Sequence, residues 1–171
     1  MNFNLKRTAH FYAIRFKRLQ GSTRSLALGA AIGTAIGVTP TLPLHNILIL
    51  ALTLPLRVNP IAGILAANVV SNPLTFVPQY YLAWKIGDFF LPGRLSWQKI
   101  SATLALIKTE GIMDSLDTIH SLGIDAILVM MSGGLVLALP TGLLTYVLVF
   151  RFFAKVRQKR REKQLLNRKD S

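Results

Sequence analysis

Residues 25–56 read SLALGAAIGTAIGVTPTLPLHNILILALTLPL, 32 consecutive positions without a Lys, Arg, Asp or Glu. As one helix this stretch would be about 48 Å long, well beyond a hydrocarbon core of roughly 30 Å. Thr39-Pro40-Thr41 and Pro43 stand at its middle. A proline lacks the N–H that a helix interior needs, so the segment is expected to break there and turn back, as a re-entrant element. Gly29, Gly33 and Gly37 precede the break at intervals of four, which places them on nearly one helix face and lets another backbone approach closely.

Working outward, residues 58–84 (27 positions) and 126–150 (25 positions) are also free of Lys, Arg, Asp and Glu. Each is long enough to cross a bilayer. With 51% hydrophobic residues and a mean hydropathy of +0.44, the chain is expected to be an all-α integral membrane protein with three long apolar segments. Residues 25–150 form the membrane domain, with a polar extracytoplasmic loop over 85–125. Residues 1–24 are read as a basic amphipathic helix, because Leu5, Ala9, Tyr12, Phe16 and Leu19 make one apolar stripe. It lies in the membrane interface or docks on the protein itself.

The net charge of +13 is concentrated at the ends. Residues 1–24 carry six basic residues and no acid, residues 151–171 carry nine against Glu162 and Asp170, and the remainder sums to zero. The positive-inside rule therefore puts both termini, including the polybasic tail 151–171, in the cytoplasm. Basic flanks beside apolar segments suit anionic lipid headgroups, and without an aromatic-rich binding module nucleic acid is not an expected partner.

Polar residues inside the apolar segments are where function is sought. Thr39, Thr41, His45 and Asn46 cluster at the first proline break; His45 is the one ionisable side chain in the three segments. In the second segment, Asn68 and Asn72 are four apart, and Asn72-Pro73 with Thr75 and Pro78 reads as a helix start within an apolar run. Such a start aims free N–H groups into the interior, which suits an anion or a polar headgroup. In the third segment Gly133 and Pro140-Thr141 repeat Gly33 and Pro40-Thr41 at an offset of 100, a pattern expected of two copies in inverted orientation. The breaks are thus expected at Pro40, Pro43, Pro73, Pro78 and Pro140, and the lining candidates are Thr39, Thr41, His45, Asn46, Asn68, Asn72, Thr75 and Thr141.

The chain has no cysteine, and His10, His45 and His120 are dispersed, so neither a metal site, a cofactor nor a set of catalytic residues is expected, and the chain is read as a non-enzyme. The functional reading is a small transporter or lipid-translocating protein with a polar site at broken helices. A chain this short would transport as a homo-oligomer. The alternative is a non-transporting accessory or scaffold that packs against another membrane protein.

Residues 28–87 carry a recognisable pattern: glycine-rich helix, proline turn, Leu56-Arg57-Val58-Asn59, then Asn72-Pro73-Leu74-Thr75-Phe76-Val77-Pro78-Gln79-Tyr80. In this the chain resembles the bacterial membrane proteins grouped as domain of unknown function 2062. Many members have a glycine after the proline turn, where this chain has Leu44-His45-Asn46. The resemblance implies a protein of the bacterial cytoplasmic (inner) membrane and carries no activity with it.

Overall fold

The computed structural model of the chain describes residues 14–16, 18–41, 44–110 and 116–169. After a helical turn at 14–16 come α1 (Thr23–Val38), α2 (His45–Thr53), α3 (Pro60–Val70), α4 (Pro73–Phe90), α5 (Trp97–Glu110) and α6 (Leu116–Lys169), with no strand among the described residues. The protein is all-helical.

Polar caps set most of the helix starts. Ser22 Oγ accepts from Ser25 N at 3.0 Å, Asn59 Oδ1 from Ala62 N at 2.9 Å, and Ser96 Oγ from Lys99 N at 3.2 Å. Pro60 and Pro73 occupy first-turn positions, where the missing N–H is harmless. The start of α2 has no such cap. Its N-cap is Leu44, with no side-chain bond, because the Thr39 and Thr41 hydroxyls are engaged at the end of α1 instead.

The apolar run 25–56 folds as a hairpin. After α2 the backbone N–H of Asn59 donates to Ser25 O at 3.3 Å, and Asn59 Nδ2 donates to Gln20 O at 2.9 Å, so the chain returns to the end where α1 began. The exit from α2 is a Schellman turn: Val58 N bonds Thr53 O, Arg57 N bonds Leu54 O, and Arg57 takes φ 52°.

Helix α3 then runs parallel to α1, and the two meet backbone to backbone. A Cβ added to Gly29 or Gly33 would fall inside 3 Å of the carbonyl oxygens of Asn59 or Gly63, and one on Gly37 would sit 3.1 Å from Ala67 Cα. The stripe of glycines is therefore the seat of α3, whose matching residues stand 30 positions later. Ile49 of α2 is fully buried beside Ile36 and Ala67 and closes this three-helix layer.

Helix α6 joins this layer to the rest. Its second half lies antiparallel to α1, with Gly134 against Thr39 and Pro40, Gly142 near Ala31, and Phe153 in a cluster with Leu26, Ala30, Ala62 and Ala66. Its first half takes α4, where Gly133 approaches Ala83 O and Gly87 approaches Val129 O too closely for any side chain. Phe16 packs on Phe153 with ring centroids 5.8 Å apart, and Phe16 and Leu19 border the same cluster. That portion of the N-terminal segment docks on the protein, but residues 18–22 are turn and coil, so the expected helix over 1–24 is interrupted there; residues 1–13 and 17 lie outside the described residues.

Several expectations are revised by these helices. Among the described residues one helix, α6, is long and apolar enough to cross a membrane over His120–Lys159, whereas 58–84 is divided into α3 and α4, bent by 87°. At 16 residues, about 24 Å, α1 falls short of a full crossing. Pro78 and Pro140 do not break their helices but lie inside α4 and α6. Both are exposed, so each ring points away from its neighbours and each helix keeps its remaining bonds. The offset of 100 thus pairs a break at Pro40 with an unbroken turn at Pro140, and the two copies differ in local structure. Pro43 lies outside the described residues. Helix α6 also continues unbroken past residues 150–151, so the polybasic tail is an extension of it, and 85–125 holds the end of α4, all of α5 and the start of α6.

Candidate functional site

Because α1 and α3 are parallel and in register, their broken ends lie side by side. One break spans residues 39–44 and the other residues 71–72. The C-terminal carbonyls of two helices and the N-terminal amides of two more converge there, beside Gly134 of α6. The charged residues lie away from it. At one end Arg157 donates to Gly21 O, placing the basic part of α6 with the start of α1. At the other, Asp125 pairs with Lys99 at 2.8 Å and with Arg94 at 3.8 Å. Asp125 and Arg157 stand 32 residues apart on one helix, about 48 Å.

At the first break the end of α1 is closed by side chains. Thr39 Oγ1 donates to Ile36 O at 2.7 Å and lies 3.4 Å from Thr41 Oγ1. His45, buried at the first turn of α2, places Nε2 3.1 Å from Thr39 O. A carbonyl oxygen only accepts, so Nε2 is the donor of this bond. Gln79, buried on α4, donates Nε2–H to Gly37 O at 2.6 Å. The carbonyls that Pro40 leaves without helical donors are thereby supplied from α2 and α4.

The second break is a capping box. Asn72 Oδ1 accepts from Leu74 N at 3.0 Å and Thr75 N at 3.2 Å, while Asn72 N donates to Thr75 Oγ1 at 3.1 Å. Asn72 Nδ2 reaches back to Val69 O at 2.9 Å, and Thr75 Oγ1 also donates to Val70 O. The first amides of α4, expected to be open to an anion, are thus occupied by Asn72 itself. Ser71 Oγ is different: it is buried at this break without a hydrogen-bond partner.

Of the lining candidates, Thr39, Thr41 and His45 meet at one break, and Asn72 and Thr75 at the other. The rest are not brought in. Asn46 is exposed, and Asn68 is exposed on the outer face of α3; the expected shared face with Asn72 does not form, because the helix ends between them. Thr141 bonds back to Leu137 O at 2.6 Å within its own helix. Gln79 was not among the candidates. A readable signal existed, since it is four residues beyond Thr75 in an apolar helix and so shares that face. No group of His, Asp and Glu suited to a metal ion occurs among the described residues. Two cavities open at the basic end, the second running along α3 as far as Asn68.

The sequence matches the family model for an uncharacterised protein conserved in bacteria, domain of unknown function 2062, over residues 6–162. The chain belongs to that family. No curated protein and no solved structure matches it.

Proposed function

We propose that this member of the family is an integral protein of the bacterial cytoplasmic membrane that acts as a packed, non-transporting scaffold for another membrane component. Membrane embedding is supported by the apolar side chains turned outward on four of the helices between the two charged ends: Ile47 and Leu52 on α2, Ile61 on α3, Val77 on α4 and Leu139 on α6, the last 78% exposed. Water would oppose so much exposed aliphatic surface, and hydrocarbon does not. Both basic ends then face the cytoplasm, the α1–α2 hairpin is re-entrant, and α6 crosses.

The observation that carries the scaffold reading is the closure of the breaks. His45 and Gln79 are spent on the broken end of α1, and Asn72 and Thr75 on the break between α3 and α4. Backbone contact at Gly33–Gly63 and Ala83–Gly133 leaves no room between the helices for a passage. The outward apolar faces are what such a protein offers a partner or a second copy.

One observation favours transport instead, the unpartnered hydroxyl of Ser71 at the convergence of helix ends. The experiment therefore targets it. Ser71→Cys should stay unreactive toward a small water-soluble thiol reagent in intact membranes, and Ser71→Ala should melt at or above the wild-type temperature. Rapid labelling of Ser71→Cys together with a lowered melting temperature for Ser71→Ala would establish a hydrated site and reject the scaffold.

A further inference from the structure

Two cavities at the basic end share a wall. One, of about 450 Å³, is lined by Arg18, Gly21, Leu26, Phe153 and Arg157 among others. The second, of about 380 Å³, runs along α3 past Ile61, Ile64 and Leu65 and is bordered by Arg15 and Arg18. Arg18 and Leu19 line both. A cationic recess thus opens directly onto an apolar groove.

We infer that the paired cavities form a binding site for one anionic phospholipid, its phosphodiester held at Arg18 and Arg157 and one acyl chain laid on Ile61, Ile64 and Leu65. This rests on the membrane reading above. Charge complementarity selects the headgroup, since residues 1–24 hold no acid and α6 has none between Asp125 and Glu162. Arg157 uses one N–H on Gly21 O, which fixes the side chain beside the cavity and leaves further donors of its fork for phosphate oxygens. The groove selects a lipid over a free anion: apart from Asn68 at its far end, its α3 wall is Ile61, Ile64 and Leu65, whose side chains have nothing to offer phosphate. The position fits as well, because Arg18 and Arg157 stand at the basic margin of the uncharged part of α6, the level at which headgroups lie.

The test uses the full-length protein in detergent micelles, titrated with dioleoyl phosphatidylglycerol, dioleoyl phosphatidylcholine or inorganic phosphate and read by native mass spectrometry. The wild type should retain one phosphatidylglycerol in preference to phosphatidylcholine. Arg18→Gln should weaken that retention about tenfold, the scale of a charge-assisted hydrogen bond. Arg94→Gln, an equal loss of charge at the opposite end, should not. Ile64→Gln should weaken both lipids alike. The inference is overturned if Arg18→Gln and Arg94→Gln behave identically while melting like the wild type, if the wild type shows no headgroup preference, or if inorganic phosphate displaces the lipid at equal concentration. Carbonate extraction of the wild type separates the two premises. A chain released into the soluble fraction ends the membrane reading, whereas a chain that stays with membranes but lacks lipid preference ends only the site.

Discussion

Gln79 of α4 donates its side-chain N–H to the carbonyl oxygen of Gly37, the next-to-last residue of α1, across 2.6 Å and 42 positions of sequence. The bond ties one broken helix end to the helix that follows the other break. Gln79→Leu keeps the bulk but strands the Gly37 oxygen in a buried setting. It is expected to cost about 1–3 kcal/mol, read as a lower melting temperature in detergent. An unchanged melting temperature would mean that Gly37 O finds another donor.

The glycine contacts predict a contrast within one residue type. Gly33→Leu must drive α1 away from the Gly63 carbonyl and should destabilise by about 1–3 kcal/mol or more. Gly123, on the exposed first part of α6, has open space where a Cβ would go. There Gly→Ala should be neutral to stabilising, by up to about 1 kcal/mol, since alanine favours the helix. Thermal unfolding of the two variants side by side checks both.

Arg57 holds φ 52° at the exit from α2, a conformation that costs an L-residue about 1–2 kcal/mol and glycine almost nothing. Arg57→Gly is expected to raise stability by up to about 1 kcal/mol. In the membrane reading it also removes a positive charge from the cytoplasmic end, so surface labelling should accompany the melt to check that orientation is kept.

Topology is open to direct measurement because the chain has no cysteine of its own. Of Ser22→Cys, Ser121→Cys and Gln158→Cys, only the second should react with an impermeant reagent added to intact cells. Reaction at Ser22 or Gln158 from outside would overturn the proposed orientation.

The helical class, the proline-marked divisions at Pro40 and Pro73, and the caps at Asn59, Asn72 and Ser96 are all local features, and local chemistry is what a sequence displays most openly. The glycine spacing likewise announces that some backbone comes close. It does not say which one, because Gly63 and Ala67 become partners only once α2 doubles back. Pro78 and Pro140 show the limit in the other direction. A proline breaks or merely interrupts a helix according to whether its neighbours supply a cap and a turn, and neither of these two is preceded by an Asn or Thr that caps. Gln79 shows it again: its role depends on where Gly37 ends up, a relation across 42 residues that no periodicity carries.

Helix α6 has a consequence for how the protein is made. Helices α4 and α5 meet the α1–α3 layer chiefly through α6, which follows them in the chain and touches both. Until it arrives, Gly87 has no Val129 to rest on and Phe16 no Phe153. Without α6 the remaining helices would stand as two loosely joined halves with Gly87 bare, a ready substrate for proteases. Docking of α6 is itself the step that licenses assembly.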